Sequence, residues 1–171
     1  MRVHHFDAQA FTTSAADIDG LWRLLASGVL PIVVSDHSPS TLELKQGDDY
    51  FQIWGGLSGC QSTRRLLLAR SLDLRRLAAA TAGNVARRFA LAGKGEIAPG
   101  YDADMWLVDL THTDVLRREE LLYKNQFSAH EGQPVRGRTV RTIRRGETVF
   151  AGGKVVVESG GRFMRPAGER S

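Results

Sequence analysis

Leu30-Pro-Ile-Val-Val-Ser-Asp-His-Ser-Pro39 is the stretch on which the fold turns. Residues 30–34 are short, apolar and β-branched, and they come after a segment with helical patterning. A wholly apolar strand after a helix predicts a parallel strand buried on both faces of an α/β fold. Polar residues then crowd its carboxyl end, where such folds carry their chemistry. The preceding helix is expected over residues 15–27, where Ile18, Leu21, Trp22, Leu24 and Leu25 recur at helical spacing. Gly28 comes next, free to take the positive φ of a helix end.

Beyond this stretch, residues 40–59 read as a loop that finishes in Gly55-Gly56-Leu57-Ser58-Gly59. Gln61 to Leu72 has a helical pattern, and Leu74 to Leu91 reads as one or two further helices with Asn84 as the N-cap at the join. The character changes after Leu91. Gly93-Lys94-Gly95 punctuates the chain, and short β-like stretches occupy residues 104–109, 135–145, 147–150 and 154–157. Gly146 and Gly152-Gly153 supply the turns between the last three. A boundary near residue 92 is expected, with a small β unit beside an α/β unit.

Composition narrows the function classes. At 171 residues, with 42% hydrophobic and 25% charged residues, the chain can bury a substantial core. The net charge of +4 is spread over separate pairs, Arg64-Arg65, Arg75-Arg76, Arg87-Arg88 and Arg144-Arg145. That dispersal favours a solvated Arg-rich surface over a nucleic-acid interface. Cys60 is the only cysteine, which excludes an intrachain disulfide. Residues 1–13 have no apolar core of a secretory signal, and no apolar run approaches the roughly 20 residues of a membrane span. A soluble, cytoplasmic protein without membrane partners is the expectation.

Four constellations could carry chemistry. An Asp held at a strand end, Asp36, can ligate a metal and shuttle a proton, since a carboxylate is anionic and has two oxygens. Judged on local chemistry alone, Asp36 more simply caps the turn that contains Pro39. His4 and His5 are adjacent, so they point to opposite sides of an extended backbone and seldom share one metal. Gly55, Gly56 and Gly59 would let backbone approach a planar polar ring closely, or form a flexible loop before a helix. Cys60 sits near a helix start but has no neighbouring His, and reads as a small packed residue.

Taken in order, these segments resemble the cyclic amidohydrolases, the group of allantoinase, dihydroorotase and dihydropyrimidinase. Val33-Val34-Ser35-Asp36-His37-Ser38-Pro39 resembles the end of the family's last barrel strand. Thr41 to Lys45 with Trp54 to Ser62 resembles the allantoinase form of the segment after that strand. Glu96 to Asp109 resembles the lead into the family's β-sandwich. Phe127-Ser128, Glu131-Gly132, Val135 to Gly137, Thr142 to Gly146 and Gly152 to Lys154 resemble its tail. The likeness runs from about Ser14 to about Val157.

The resemblance implies an α/β chain: the C-terminal part of a (β/α) barrel over residues 1–92, a β-sandwich part over 93–165 and a disordered tail over 166–171. It implies a hydrolase of purine catabolism that opens a cyclic amide, allantoin to allantoate, with a divalent metal, zinc, in a binuclear site. Asp36 would be both a metal ligand and the catalytic proton carrier. Gly55, Gly56, Leu57 and Ser58 would lie beside the substrate ring. The family's other ligands, four His and a carboxylated Lys, have no counterpart here. A complete barrel of this kind takes roughly 250 residues. The chain alone is therefore expected to be inactive and poorly soluble, and to need the missing N-terminal barrel part or a homo-oligomer. The alternatives are a non-catalytic remnant or assembly partner with the same fold, or a hydrolase of the dihydroorotase or dihydropyrimidinase type.

Overall fold

The computed structural model describes residues 14–167, apart from the side chain of Tyr50. Helix α1 spans Ala15–Ser27. Ser14 caps it in a capping box: its hydroxyl accepts from the Asp17 N–H at 3.2 Å, while the Asp17 carboxylate accepts from the Ser14 N–H at 2.9 Å. Gly28 ends it with φ 86°, as its position predicts. Of the apolar residues on α1 only Leu25 is buried; Ile18, Leu21 and Leu24 face solvent. Helical spacing marks an apolar stripe here, but the described residues cover only one edge of it.

The segment 30–34 differs from the expected strand. It forms no strand ladder, and Val34 is 71% exposed. A strand is defined by its neighbours, and no described segment pairs along this one. Its backbone is tied instead to the next helices: the Val33 N–H donates to the Ala80 carbonyl at 3.0 Å, and the Asn84 side-chain amide donates to the Pro31 carbonyl at 2.6 Å.

Helix α2, Thr63–Ala69, starts later than its pattern predicts. Helix α3, Leu74–Ala78, runs through a π turn, Ala79–Gly83, into helix α4, Asn84–Arg88. Asp73 caps α3, accepting from the Arg75 and Arg76 N–H groups at 3.0 and 3.1 Å. Asn84 is not the expected cap, because the helix continues through it and its side chain has gone to Pro31.

Strands β1 (Met105–Val115), β2 (Pro134–Arg144), β3 (Glu147–Ala151) and β4 (Lys154–Val155) form one antiparallel meander in that order. β1 outruns the expected 104–109. After a break in register, Thr113, Asp114 and Val115 pair with Arg136, Val135 and Pro134. The polar run Thr111-His112-Thr113-Asp114 hides that half of the strand, since its hydrogen bonds come from the partner rather than from any local signal.

The helices and the sheet share a core across the expected boundary near residue 92. Leu25, Leu67, Leu68, Leu72, Leu77 and Ala80 pack with Trp106, Val108 and Leu110 of β1. A Cβ on Gly137 would stand 2.7 Å from Val108 and 2.9 Å from Leu68, and φ there is 83°, so only glycine lets β2 lie this close to α2. A second cluster, Leu116, Leu121 and Val135 with Leu66 and Tyr123, fastens the connection after β1. The arginines expected on a solvated surface partly serve this join. Arg65 donates to the Gly137 carbonyl at 2.8 Å, and Arg64 lies over the Trp106 ring at 5.5 Å. Burial pushes the Arg64 guanidinium below its ordinary pKa.

Candidate functional site

Asp36 and the glycine-rich loop lie on two facing segments. His37 and Leu57 form a parallel bridge, and the Ser38 N–H donates to the Leu57 carbonyl at 2.8 Å. Asp36 stands at this junction, exposed, with the left-handed φ of 43° that a non-glycine residue seldom adopts. The structure thus brings Asp36 beside Gly55-Gly56-Leu57-Ser58, although 20 residues separate Asp36 from Gly56 in sequence.

Glycine is required in this loop for contact with the chain itself. A Cβ on Gly56 would lie 2.5 Å from the Ser38 carbonyl oxygen, and one on Gly59 would lie 2.9 Å from that of Ser35. His37 fixes the far end: its Nδ1 accepts from the Gly59 N–H at 3.1 Å, and its ring lies 4.9 Å from that of Tyr123. Nδ1 is thus the acceptor nitrogen, which leaves the ring proton of a neutral His37 on Nε2.

Lys45 holds the near end. It is 2% exposed and donates to the Trp54 carbonyl at 3.0 Å and to the Gly56 carbonyl. Its ammonium lies 6.0 Å from the centre of the Phe127 ring. Burial pushes its pKa below the ordinary lysine value. Gln61 ties the loop to the segment after β1, donating to the Glu120 carbonyl at 2.7 Å and accepting from the Leu122 N–H at 2.9 Å. The Gln61 N–H donates to the Tyr123 hydroxyl at 2.7 Å. Burial pushes that hydroxyl above its ordinary pKa, against the lowering effect of this hydrogen bond.

Two other candidate residues, Ser58 and Cys60, differ in burial. Ser58 is buried, and its carbonyl accepts from the Ser128 hydroxyl at 3.4 Å. Cys60 is exposed, rather than packed, with its sulfur 3.3 Å from the Ser35 hydroxyl; it sits in the turn before α2, outside the core. His4 and His5 lie outside the described residues. A cleft of about 1170 Å³ is lined in part by Val33, Val34, Ser35, Arg64, Trp106 and Thr139; neither Asp36 nor Gly55 to Ser58 lines it. Lys45, Tyr123 and Gln61 carry no signal in the sequence that marks them as anchors. Lysine in a 3₁₀ turn and glutamine before a helix look like ordinary surface residues, and only tertiary contacts reveal their role.

The described residues do not make a metal site of their own. No group of three His, Cys, Asp or Glu side chains among them could hold an ion, whereas catalytic zinc takes about three protein ligands. Asp36 offers one carboxylate.

No protein-family model matches the sequence. Individual proteins do. The chain is 48% identical over 159 residues to an allantoinase of Rubrobacter xylanophilus, covering 90% of this chain and 35% of that protein. It is 44% identical over 155 residues to an allantoinase of Solibacter usitatus, covering 88% and 34%. Among solved structures, L-hydantoinase (dihydropyrimidinase) from Arthrobacter aurescens superposes with a TM-score of 0.83 at 28% identity, over 89% of this chain and 36% of that one. The chain belongs to the cyclic amidohydrolases. It spans about a third of the length of the relatives that it matches, and corresponds to a C-terminal portion of a cyclic amidohydrolase. The D-hydantoinase (dihydropyrimidinase) of a Thermus species gives the same picture, with a TM-score of 0.82 at 25% identity over 90% of this chain and 35% of that one. As a cyclic amidohydrolase portion the chain is mixed helix and sheet, and no described helix is long and apolar enough to cross a membrane.

Proposed function

We propose that this chain is the C-terminal third of a metal-dependent allantoinase, which opens the ring of allantoin to give allantoate in purine catabolism. The observation that supports this best is the pairing of His37 with Leu57, which brings Asp36 beside the Gly55 to Ser58 loop. In the assembled enzyme Asp36 takes the proton of the attacking water and returns it to the leaving ring nitrogen, a task for which one exposed carboxylate with two oxygens is suited. Gly55, Gly56, Leu57 and Ser58 form the wall against the ring. The higher identity to allantoinases than to hydantoinases favours allantoin over a dihydropyrimidine or hydantoin ring.

On this reading residues 1–92 close a (β/α) barrel, and the antiparallel sheet is part of a β-sandwich. The exposed Val34 and the exposed stripe of α1 are surfaces that the rest of the barrel covers. The further ligands of a divalent metal, zinc, come from that same missing portion, with Asp36 the ligand that this chain supplies. The assembled enzyme works in the cytoplasm, as a homo-oligomer, on a small cyclic amide and without nucleic acid.

The test joins these residues behind the portion of the Rubrobacter xylanophilus allantoinase that their match leaves uncovered. The fused protein, supplied with zinc, is expected to hydrolyse allantoin faster than hydantoin or dihydrouracil. Asp36→Asn is expected to reduce kcat by at least roughly a hundredfold, the scale of general acid–base catalysis. A folded fusion without allantoin hydrolysis, or an Asp36→Asn variant with unchanged kcat, defeats the proposal.

A further inference from the structure

Lys45 is a lysine packed inside the described fold, and its surroundings are unusual for an ammonium group. Among the described residues no carboxylate stands within ion-pair distance of it, and both of its hydrogen-bond acceptors are backbone carbonyls. A buried ammonium without a counter-ion is costly, so the fold must gain something specific from it. The gain is local. The two carbonyls belong to Trp54 and Gly56, either side of Gly55, in a stretch without helix or ladder to hold it. Two backbone bonds also fix this stretch, from the Trp54 N–H to the Leu44 carbonyl at 2.8 Å and from the Ser38 N–H to the Leu57 carbonyl. Lys45 therefore closes a loop that runs from its own turn, Glu43–Lys45, through Trp54 and Gly56 to the Asp36 segment.

We propose that Lys45 is a positioning residue: its ammonium gathers the Trp54 and Gly56 carbonyls inward and so sets the distance and tilt of the ring-facing loop relative to Asp36. A methylene stem and an apolar neighbour, Phe127, fill the space around it, while the three N–H donors do the orienting. An apolar residue of similar length would fill much the same volume and leave both carbonyls without this donor. The catalytic half of this inference rests on the proposed function; the conformational half does not.

Two measurements test it. In the 171-residue chain, Lys45→Met is compared with Lys45→Arg by amide hydrogen exchange. The Ser38 and Trp54 amides are expected to exchange at least roughly tenfold faster in Lys45→Met, as befits the loss of charged hydrogen bonds. The Leu77 amide, bonded to the Asp73 carbonyl within the helical core, is expected to be unchanged. Lys45→Arg, which keeps charge and donors, is expected to recover most of the protection. Unchanged exchange at Ser38 and Trp54 in Lys45→Met overturns the proposal. If Lys45→Met does not fold, the wild-type side chain decides: ammonium protons protected from rapid solvent exchange support the inference, and freely exchanging ones overturn it.

In the fused enzyme, Lys45→Met is expected to raise KM for allantoin more than it lowers kcat, with Lys45→Arg restoring KM. A loss of activity that only tracks the loss of folded protein, with KM unchanged, would overturn the positioning role. A wild-type fusion with no activity would count against the proposed function, and the exchange result would still decide Lys45.

Discussion

Replacing Gly56 with alanine isolates the contact that joins the two halves of the candidate site. The added Cβ would stand 2.5 Å from the Ser38 carbonyl oxygen, whereas ordinary contact begins near 3.4 Å, so one backbone must retreat by about 0.9 Å. Neither segment has slack in that direction: the Leu57 carbonyl holds Ser38, and the Gly56 carbonyl is held by Lys45. Overpacking of this kind costs about 1–3 kcal/mol. In a chain of this size that is a fall of about 2–12 °C in Tm, at about 2–4 °C for each kcal/mol. Gly132 is the control. Its φ of 79° is unfavourable for alanine, but nothing lies within 4 Å of its Cβ position, so Gly132→Ala carries only the left-handed penalty of about 1–2 kcal/mol. The assay is thermal unfolding by circular dichroism, with amide exchange at Ser38 as the local readout. Gly56→Ala is expected to release the Ser38 amide and to separate Asp36 from the loop, while Gly132→Ala leaves that amide protected. If Gly56→Ala leaves the Ser38 amide as protected as it is in Gly132→Ala, the close approach of the two segments is wrong.

The packing and the charges lead to three further outcomes. Leu68, 2% exposed and in contact with the sheet side of the core, should cost about 2–5 kcal/mol as alanine in chemical denaturation; a loss below about 1 kcal/mol would mean that helices and sheet do not share a core. Gln61→Ala removes both side-chain bonds between the loop and residues 120–122 and should cost about 1–3 kcal/mol, whereas Gln61→Glu keeps an acceptor for Leu122 but sets a carboxylate oxygen against the Glu120 carbonyl and should cost at least as much at neutral pH. Asp114 is held down to a pKa of about 2 by its hydrogen bond from Arg117 and by the Val115 N–H. A carboxyl lowered on folding stabilises the native state above its unfolded pKa, and that contribution is lost as pH falls toward 2. Stability should therefore decline between about pH 4 and pH 2, and Asp114→Asn should flatten that slope in acid titrations read by circular dichroism.

Local chemistry alone determined a good deal of this chain. Gly28 marks the end of α1, because a cap needs only residues within one turn of each other, whereas the Ser14–Asp17 capping box at its start came to light only in the structure. Gly146 and Gly152-Gly153 mark the turns between β2, β3 and β4 for the same reason. The ordered run from Asp36 to Ser62 and on to Gly153 was enough to indicate the family. Tertiary structure decided whatever depends on a distant partner. Residues 30–34 have a strand's composition but no ladder, since hydrogen bonds between strands require a neighbour that the described residues do not provide. The second half of β1 is a strand despite its polar sequence, because Val135 and Arg136 pair with it. Lys45 became an internal anchor rather than a surface charge only when Trp54 and Gly56 turned their carbonyls toward it. Sequence gives each residue its donors, acceptors and volume; which of them meet is set by packing between segments far apart in the chain, and the Asp36 segment and the Gly55 to Ser58 loop face each other only through such a meeting.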